Sequence, residues 1–144
     1  MSTYADTSLL VSLYVFDHNS RRASAILAEL PRPLILTPLL EIEIANAFHL
    51  RIFRKESDEG RIRLSWKLFE DDVQAGIFAP RPLTDEVFVH ARQLAMRATP
   101  RLGVRTLDLL HVASAAVLKT EAFCTFDKKQ AAVARSEGLL VRAN

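Results

Sequence analysis

Four acids stand where chemistry could be built. Asp6 separates a short apolar lead-in from the apolar run LLVSLYVF. Asp127 follows the stretch AFCTF, and Asp108 stands near the start of TLDLLHVASAAVLKT. Glu43 lies in LLEIEIANAF, with Leu39, Leu40, Ala47 and Leu50 at helical spacing around it. Glu41 competes with it, having Ile44, Ala45 and Phe48 as neighbours, and periodicity does not choose between the two. A buried carboxylate is costly unless it is paired. Three or four held close together cannot all stay ionised without a cation. Oxygen-only ligation suits the hard ions Mg²⁺ or Mn²⁺. Zinc would want His and Cys at close spacing, but His18, His49, His90 and His111 are scattered.

Each acid also has a plainer reading. Asp6 and Asp127 would cap the helices that follow them. Asp108 would favour the dipole at a helix N-terminus. Glu43 would be solvated on a helix flank. His111, one turn after Asp108, would pack or orient that acid. Cys124 reads as core, and Trp66, on an amphipathic segment, as core or interface.

Short apolar strands alternating with helices must position these residues. Strands are expected at 3–5, 34–37, 77–80, 122–126 and 139–142. Helices are expected after the Asp-Thr-Ser step, over 20–30 with Ser20 as cap, and from Pro38 through the following turns. Gly60 is expected in a turn before RIRLSWKLFEDDVQAG, the next helix. A helix over 84–99 should end in a loop with Pro100 and Gly103, followed by helices at 106–120 and 128–138. The alternation indicates parallel βα units with helices on both faces of the sheet. The expected fold is a three-layer α/β/α sandwich with four or five parallel strands. Residues 38–75 would form a helical hairpin projecting from it. Asp6 and Asp127 would then lie at the carboxyl ends of strands, where open parallel sheets bind ligands.

The 144 residues suit a single domain, 1–144, and 49% hydrophobic content is enough for one core. The net charge of +2 permits a nucleic-acid partner without arguing for one. No apolar run approaches the roughly 18–20 residues of a membrane span. Asp6 interrupts any leader-like start. A lone cysteine leaves no internal disulfide and fits a reducing, cytoplasmic setting. There is no glycine-rich phosphate loop and no Gly-x-Ser-x-Gly elbow.

Four stretches in order, YADTSLLVSLY, LLEIEIANAF, RTLDLLHVASA and CTFDKKQAAVARSEGLLV, resemble the PIN-domain ribonucleases, and more narrowly the VapC toxins of bacterial toxin–antitoxin pairs. The similarity runs from residue 4 to about residue 141. Asp6 matches the family's acid after the first strand, and Ser8 the hydroxyl soon after it. Glu43, ahead of Asn46-Ala47-Phe48, matches the second acid, which favours it over Glu41. Asp108, with His111 and Ala113, matches the third, and Asp127, after Thr125-Phe126, the fourth.

The resemblance implies an endoribonuclease dependent on Mg²⁺ or Mn²⁺. Asp6, Asp108 and Asp127 would hold the metal, Glu43 would orient or deprotonate a water, and Arg105 would steady the phosphate or stand as a plain surface arginine. Arg51, Arg54, Lys55, Arg61, Arg63 and Lys67 would guide RNA or serve as solvated helix faces. The implied partners are RNA, an antitoxin that covers the cleft, and a second copy in a homodimer, with Leu9, Val11, Leu13, Val15 and Phe16 supplying apolar surface. Two other readings remain open. One is a docking module whose acidic pocket receives a partner's arginine. The other is a metal-dependent phosphatase.

Overall fold

The structure, a computed structural model, describes residues 1–142. The chain order is β1 (Thr3–Ala5), α1 (Thr7–Tyr14), α2 (Ser20–Ala28), β2 (Leu34–Leu36), α3 (Pro38–Phe53), α4 (Glu59–Gln74), β3 (Phe78–Pro80), α5 (Asp85–Leu102), α6 (Thr106–Val117), β4 (Ala122–Cys124), α7 (Lys128–Ser136) and β5 (Leu140–Arg142). The strands pair in the order β3-β2-β1-β4-β5, all parallel. β1, β2 and β4 are buried at every position, as strands covered by helices on both faces must be.

The chain builds β2 and β3 outward on one side of β1. It then crosses back to lay β4 and β5 on the other side. Right-handed crossovers put α1–α4 on one face and α5–α7 on the other. α1 accordingly packs on α2, α3 and α4, while α6 packs on α5 and α7. The strand order reverses between β1 and β4, which opens a crevice at their carboxyl ends.

α3 and α4 form the expected hairpin. Thr37 caps α3 by accepting from the Leu40 amide at 3.2 Å, and Pro38 starts the helix. Asp58 caps α4 through the Arg61 amide at 2.9 Å. Buried Phe48 and half-buried Trp66 meet edge to face, and Phe69 links them to Tyr14 and Phe78. Trp66 therefore belongs to the packing of the hairpin. Cys124 is core, and burial pushes its thiol up to about 12.

Three local expectations are corrected. Asn19, not Ser20, is the N-cap of α2; the Ser20 hydroxyl instead accepts from the Asp17 amide at 2.9 Å. Gly60 lies inside the first turn of α4, because the Asp58 cap starts the helix before it. Pro100 lies inside α5, two residues from its end. Proline removes its own amide bond and crowds the carbonyl four residues back, a cost that α5 carries in its last turn. α5 stops at Gly103, whose left-handed φ of 63° turns the chain toward α6.

Candidate active site

Asp6, Glu43, Asp108 and Asp127 all line one cleft of about 400 Å³, together with Ser8 and Arg105. Asp6 follows β1 and Asp127 lies three residues past β4, so the sheet brings two of the acids to its switch point. Glu43 descends from α3 and Asp108 from the first turn of α6.

Asp6 is buried at the N-cap position of α1, but its side chain makes no capping bond. One oxygen, Oδ2, accepts from the Ser8 hydroxyl at 3.2 Å, and Oδ1 lies 3.9 Å from His111 Nε2. Burial pushes the Asp6 carboxyl above the usual range, and Asp108 adds to this. The charge of His111, the Thr7 amide and the Ser8 hydroxyl oppose the rise without cancelling it.

Glu43 is half-buried on the cleft side of α3, whereas Glu41 is exposed and stands outside the cleft. Glu43 Oε1 accepts from the Thr7 hydroxyl at 3.0 Å and pairs with His111 Nε2. Burial works to raise Glu43, but the hydrogen bond and charge of His111, the Thr7 hydroxyl and Arg105 outweigh it and hold the carboxyl low. Of the two roles the sequence suggested for His111, packing and orienting Asp108, the first fits its burial, but its polar contacts are with Glu43, Thr7 and Asp6.

Asp108 Oδ2 accepts from Arg105 Nε at 3.1 Å, and the Arg105 side chain is 82% exposed. Asp127 caps α7: its Oδ1 accepts from the Gln130 amide at 2.9 Å. Thr125 does not line the cleft. Its buried hydroxyl accepts from the Asp127 amide at 3.0 Å and donates to Gln130 Oε1 at 2.7 Å, so it supports Asp127 from below.

The basic residues divide. Arg51 and Arg54 line one end of the cleft, with Arg51 tied to Asp17 at 3.3 Å. Arg61 and Lys67 instead pair with Asp58 and Asp71 on α4, and Arg63 lines a separate apolar groove with Trp66. Sequence reasoning missed Lys128 and Lys129, which share a second depression with Arg105, Asp108 and Asp127. Their position directly after Asp127 was the available signal. It also missed Tyr4 and Thr7, whose hydroxyls engage His111.

Among the described residues, no three Asp, Glu, His or Cys side chains stand close enough to enclose a cation directly. The donor set still fits a hard divalent ion. All four candidates are carboxylates lining one cleft, and in each the hydrogen bonds above fall on a single oxygen. Asp6, Asp108, Asp127 and Glu43 would hold such an ion partly through water, which Mg²⁺ commonly retains.

No helix among the described residues is long and apolar enough to cross a membrane. No curated protein matches the chain. Solved structures with similar folds include FitAcB from Neisseria gonorrhoeae, at a TM-score of 0.72 and 16% identity, covering 96% of this chain and 95% of that one. VapBC2 from Rickettsia felis, bound to a promoter DNA fragment, aligns with a TM-score of 0.68 and 12% identity over 100% of this chain and 99% of its own. VapC20 from Mycobacterium tuberculosis, a sarcin–ricin loop cleaving toxin, aligns with a TM-score of 0.66 and 15% identity over 90% of this chain and 93% of its own. The family model of the PIN domain matches residues 3–136, which contain all four acids of the cleft, and the chain belongs to the PIN domain family.

Proposed function

We propose that this chain is an endoribonuclease dependent on Mg²⁺ or Mn²⁺, and the toxin of a type II toxin–antitoxin pair. The observation that carries the reading is the convergence of Asp6, Glu43, Asp108 and Asp127, from four separate parts of the chain, on one cleft at the switch point of the sheet. Membership of the PIN family and likeness to structures named as toxins support it.

When bound, the cation supplies neutralising charge for the scissile phosphate and acidifies a water. The chain's own residues do the rest. Asp6, Asp108 and Asp127 hold the ion, Ser8 steadies Asp6, and Thr125 with Gln130 steadies Asp127. Glu43 orients the attacking water and takes its proton as the new P–O bond forms; the P–O bond to the leaving ribose oxygen breaks, and that oxygen takes a proton from solvent. Arg105 releases Asp108 and donates to a phosphate oxygen as negative charge develops there. Arg51 and Arg54 at one end, and Lys128 and Lys129 at the other, take flanking phosphates of the RNA strand.

The antitoxin is a partner that covers this cleft with an apolar segment and an arginine. The Arg105–Asp108 pair, in which a cleft acid already accepts a guanidinium, favours that mode of inhibition and equally favours a docking role. Metal-dependent cleavage separates the two. Purified protein free of antitoxin should cut structured RNA in Mg²⁺ or Mn²⁺ and stop in EDTA. Full cleavage in EDTA overturns the metal mechanism.

A further inference from the structure

His111 is a polar residue with almost no access to water, 1% exposed, yet both ring nitrogens are engaged. Nδ1 meets the Tyr4 hydroxyl at 2.7 Å. Nε2 meets Glu43 Oε1 and lies 3.4 Å from the Thr7 hydroxyl. Tyr4 is itself fully buried in β1, stacked on Phe123 with ring centroids 5.6 Å apart. Its burial pushes the phenol well above its ordinary value, so it keeps its proton. A carboxylate can only accept, so Nε2 carries a proton toward Glu43. In a neutral ring Nδ1 then accepts from Tyr4; in a charged ring it donates to Tyr4. In both states the imidazole is pinned at both ends.

A core histidine needing only satisfaction could have turned to a backbone carbonyl. This one instead joins all three layers: Tyr4 on strand β1, His111 on α6 and Glu43 on α3. Its contact falls on Oε1, the oxygen that Thr7 also binds; the hydrogen bonds of Glu43 leave Oε2 to the cleft.

We propose that His111, held by Tyr4, is the positioning residue that fixes one oxygen of Glu43 and presents the other to the cation site. This rests on the metal-dependent reading above. Partners of this kind, placed behind a ligating group, typically change metal affinity about 10–100-fold when removed.

The test is calorimetric titration with Mn²⁺ of wild type, Glu43→Gln, His111→Ala, His111→Gln and Tyr4→Phe, each first checked by thermal melting. His111→Ala should weaken Mn²⁺ binding about tenfold or more. His111→Gln should recover most of the loss, because its amide N–H can replace Nε2. Tyr4→Phe, which keeps the ring stacked on Phe123, should weaken binding less and in the same direction. On RNA, kcat should fall in the same order while KM holds. Folded His111→Ala that binds Mn²⁺ as wild type does overturns the proposal. If His111→Ala does not fold, a folded Tyr4→Phe with wild-type Mn²⁺ affinity and no loss of kcat overturns it equally. Wild type that binds no Mn²⁺ overturns the metal-dependent reading and this proposal with it, whereas binding that ignores Glu43→Gln leaves the ion to the three aspartates and overturns this proposal alone. Binding that responds to Glu43 but not to His111 or Tyr4 overturns this proposal alone.

Discussion

The backbone amide of Asp6 donates to the carbonyl of Cys124 at 2.9 Å. This bond carries the β1–β4 pairing one residue past β1, into the crevice. It fixes the start of α1 against the strand that leads to Asp127, so two acids more than a hundred residues apart share one rigid edge. A carboxylate at that edge is expensive, because Asp6 is buried and, among the described residues, has only the Ser8 hydroxyl as side-chain donor.

That cost sets the first prediction. Asn caps helices about as well as Asp, so Asp6→Asn should change little if capping is its role. If Asp6 holds a cation, cleavage should fall by roughly two orders of magnitude or more. The cation-free variant should melt no lower than wild type, since one buried charge is gone. Mg²⁺ should raise the melting temperature of wild type by binding the folded state, and the rise should shrink in the variant. Melting curves with and without Mg²⁺, paired with cleavage rates, decide this; a wild-type rate returns Asp6 to the role of a cap.

Asp6 and Glu43 should pull in opposite directions with pH. Asp6 is raised by burial, so its contribution to stability is present in acid and is lost as pH rises through its folded value. Glu43 is held low by His111 and Thr7 against the effect of burial, so its contribution is present at neutral pH and is lost as pH falls through its depressed value. At about pH 7 in EDTA, Asp6→Asn should therefore be more stable than wild type and Glu43→Gln less stable. Both differences should narrow below about pH 4, where ordinary carboxyls protonate. Denaturant melts across this range would show it, and shifts of the same sign at neutral pH would refute it.

Glu41 is the control for Glu43. It is exposed, two positions along α3, and faces away from the cleft. Glu41→Gln should cut RNA at a near-normal rate, while Glu43→Gln should lose about a hundredfold, a typical effect of removing a general base. Equal losses in the two variants would mean that α3 presents a different face to the substrate.

The two glutamates also mark what the sequence could and could not carry. The parallel α/β/α architecture was legible because each strand is a short apolar run and each helix a periodic one. The acids after β1 and β4 were legible because the ends of parallel strands define the crevice. Glu43 was not separable from Glu41 by periodicity, because Leu40, Ile44 and Phe48 face the core while Ala45 and Ala47 extend apolar character around both flanks. Gly60 misled because its modest helix penalty is outweighed by the Asp58 cap, and Pro100 because its larger penalty falls in the last turn, just before the helix ends at Gly103. The partner of His111 was not legible at all. Its contacts with Glu43 and Tyr4 span 68 and 107 residues, and no local pattern reports a pairing at that distance.

Arg105 should matter to the reaction and not to the fold. Its side chain is 82% exposed and pairs with Asp108 at 3.1 Å. Exposed pairs contribute little to stability. Arg105→Ala should leave the melting temperature unchanged and slow RNA cleavage several-fold, and Arg105→Lys should restore only part of the rate, because Lys cannot form the planar fork. Full activity in Arg105→Ala would leave the residue as surface charge.

Self-association should use a different surface from the one the sequence suggested. Leu9, Val11 and Val15 are buried in the core of the single chain, and only Phe16 of that run stands open, at 86% exposed. Apart from Met1, Leu107 and Leu140, the other large exposed apolar side chains gather on the α3–α4 hairpin, as Ile42, Phe53, Leu64 and Leu68, and along α5, as Phe88, Val89 and Met96. The hairpin lies beside the cleft and suits an antitoxin that must cover it. α5 packs on α6, away from the hairpin, and leaves Phe88 and Met96, eight positions apart, on one face of the helix. A two-fold axis there would bury the same stripe from both copies. Light scattering at micromolar concentration should give twice 16.2 kDa for wild type. Met96→Glu or Phe88→Glu should shift the protein toward the single-chain mass, because a charge in an apolar contact has no partner. Leu64→Glu on the hairpin should leave the doubled mass intact and weaken antitoxin binding instead. A doubled mass that survives both α5 variants would place the contact elsewhere, and a wild-type mass of 16.2 kDa would remove the dimer altogether.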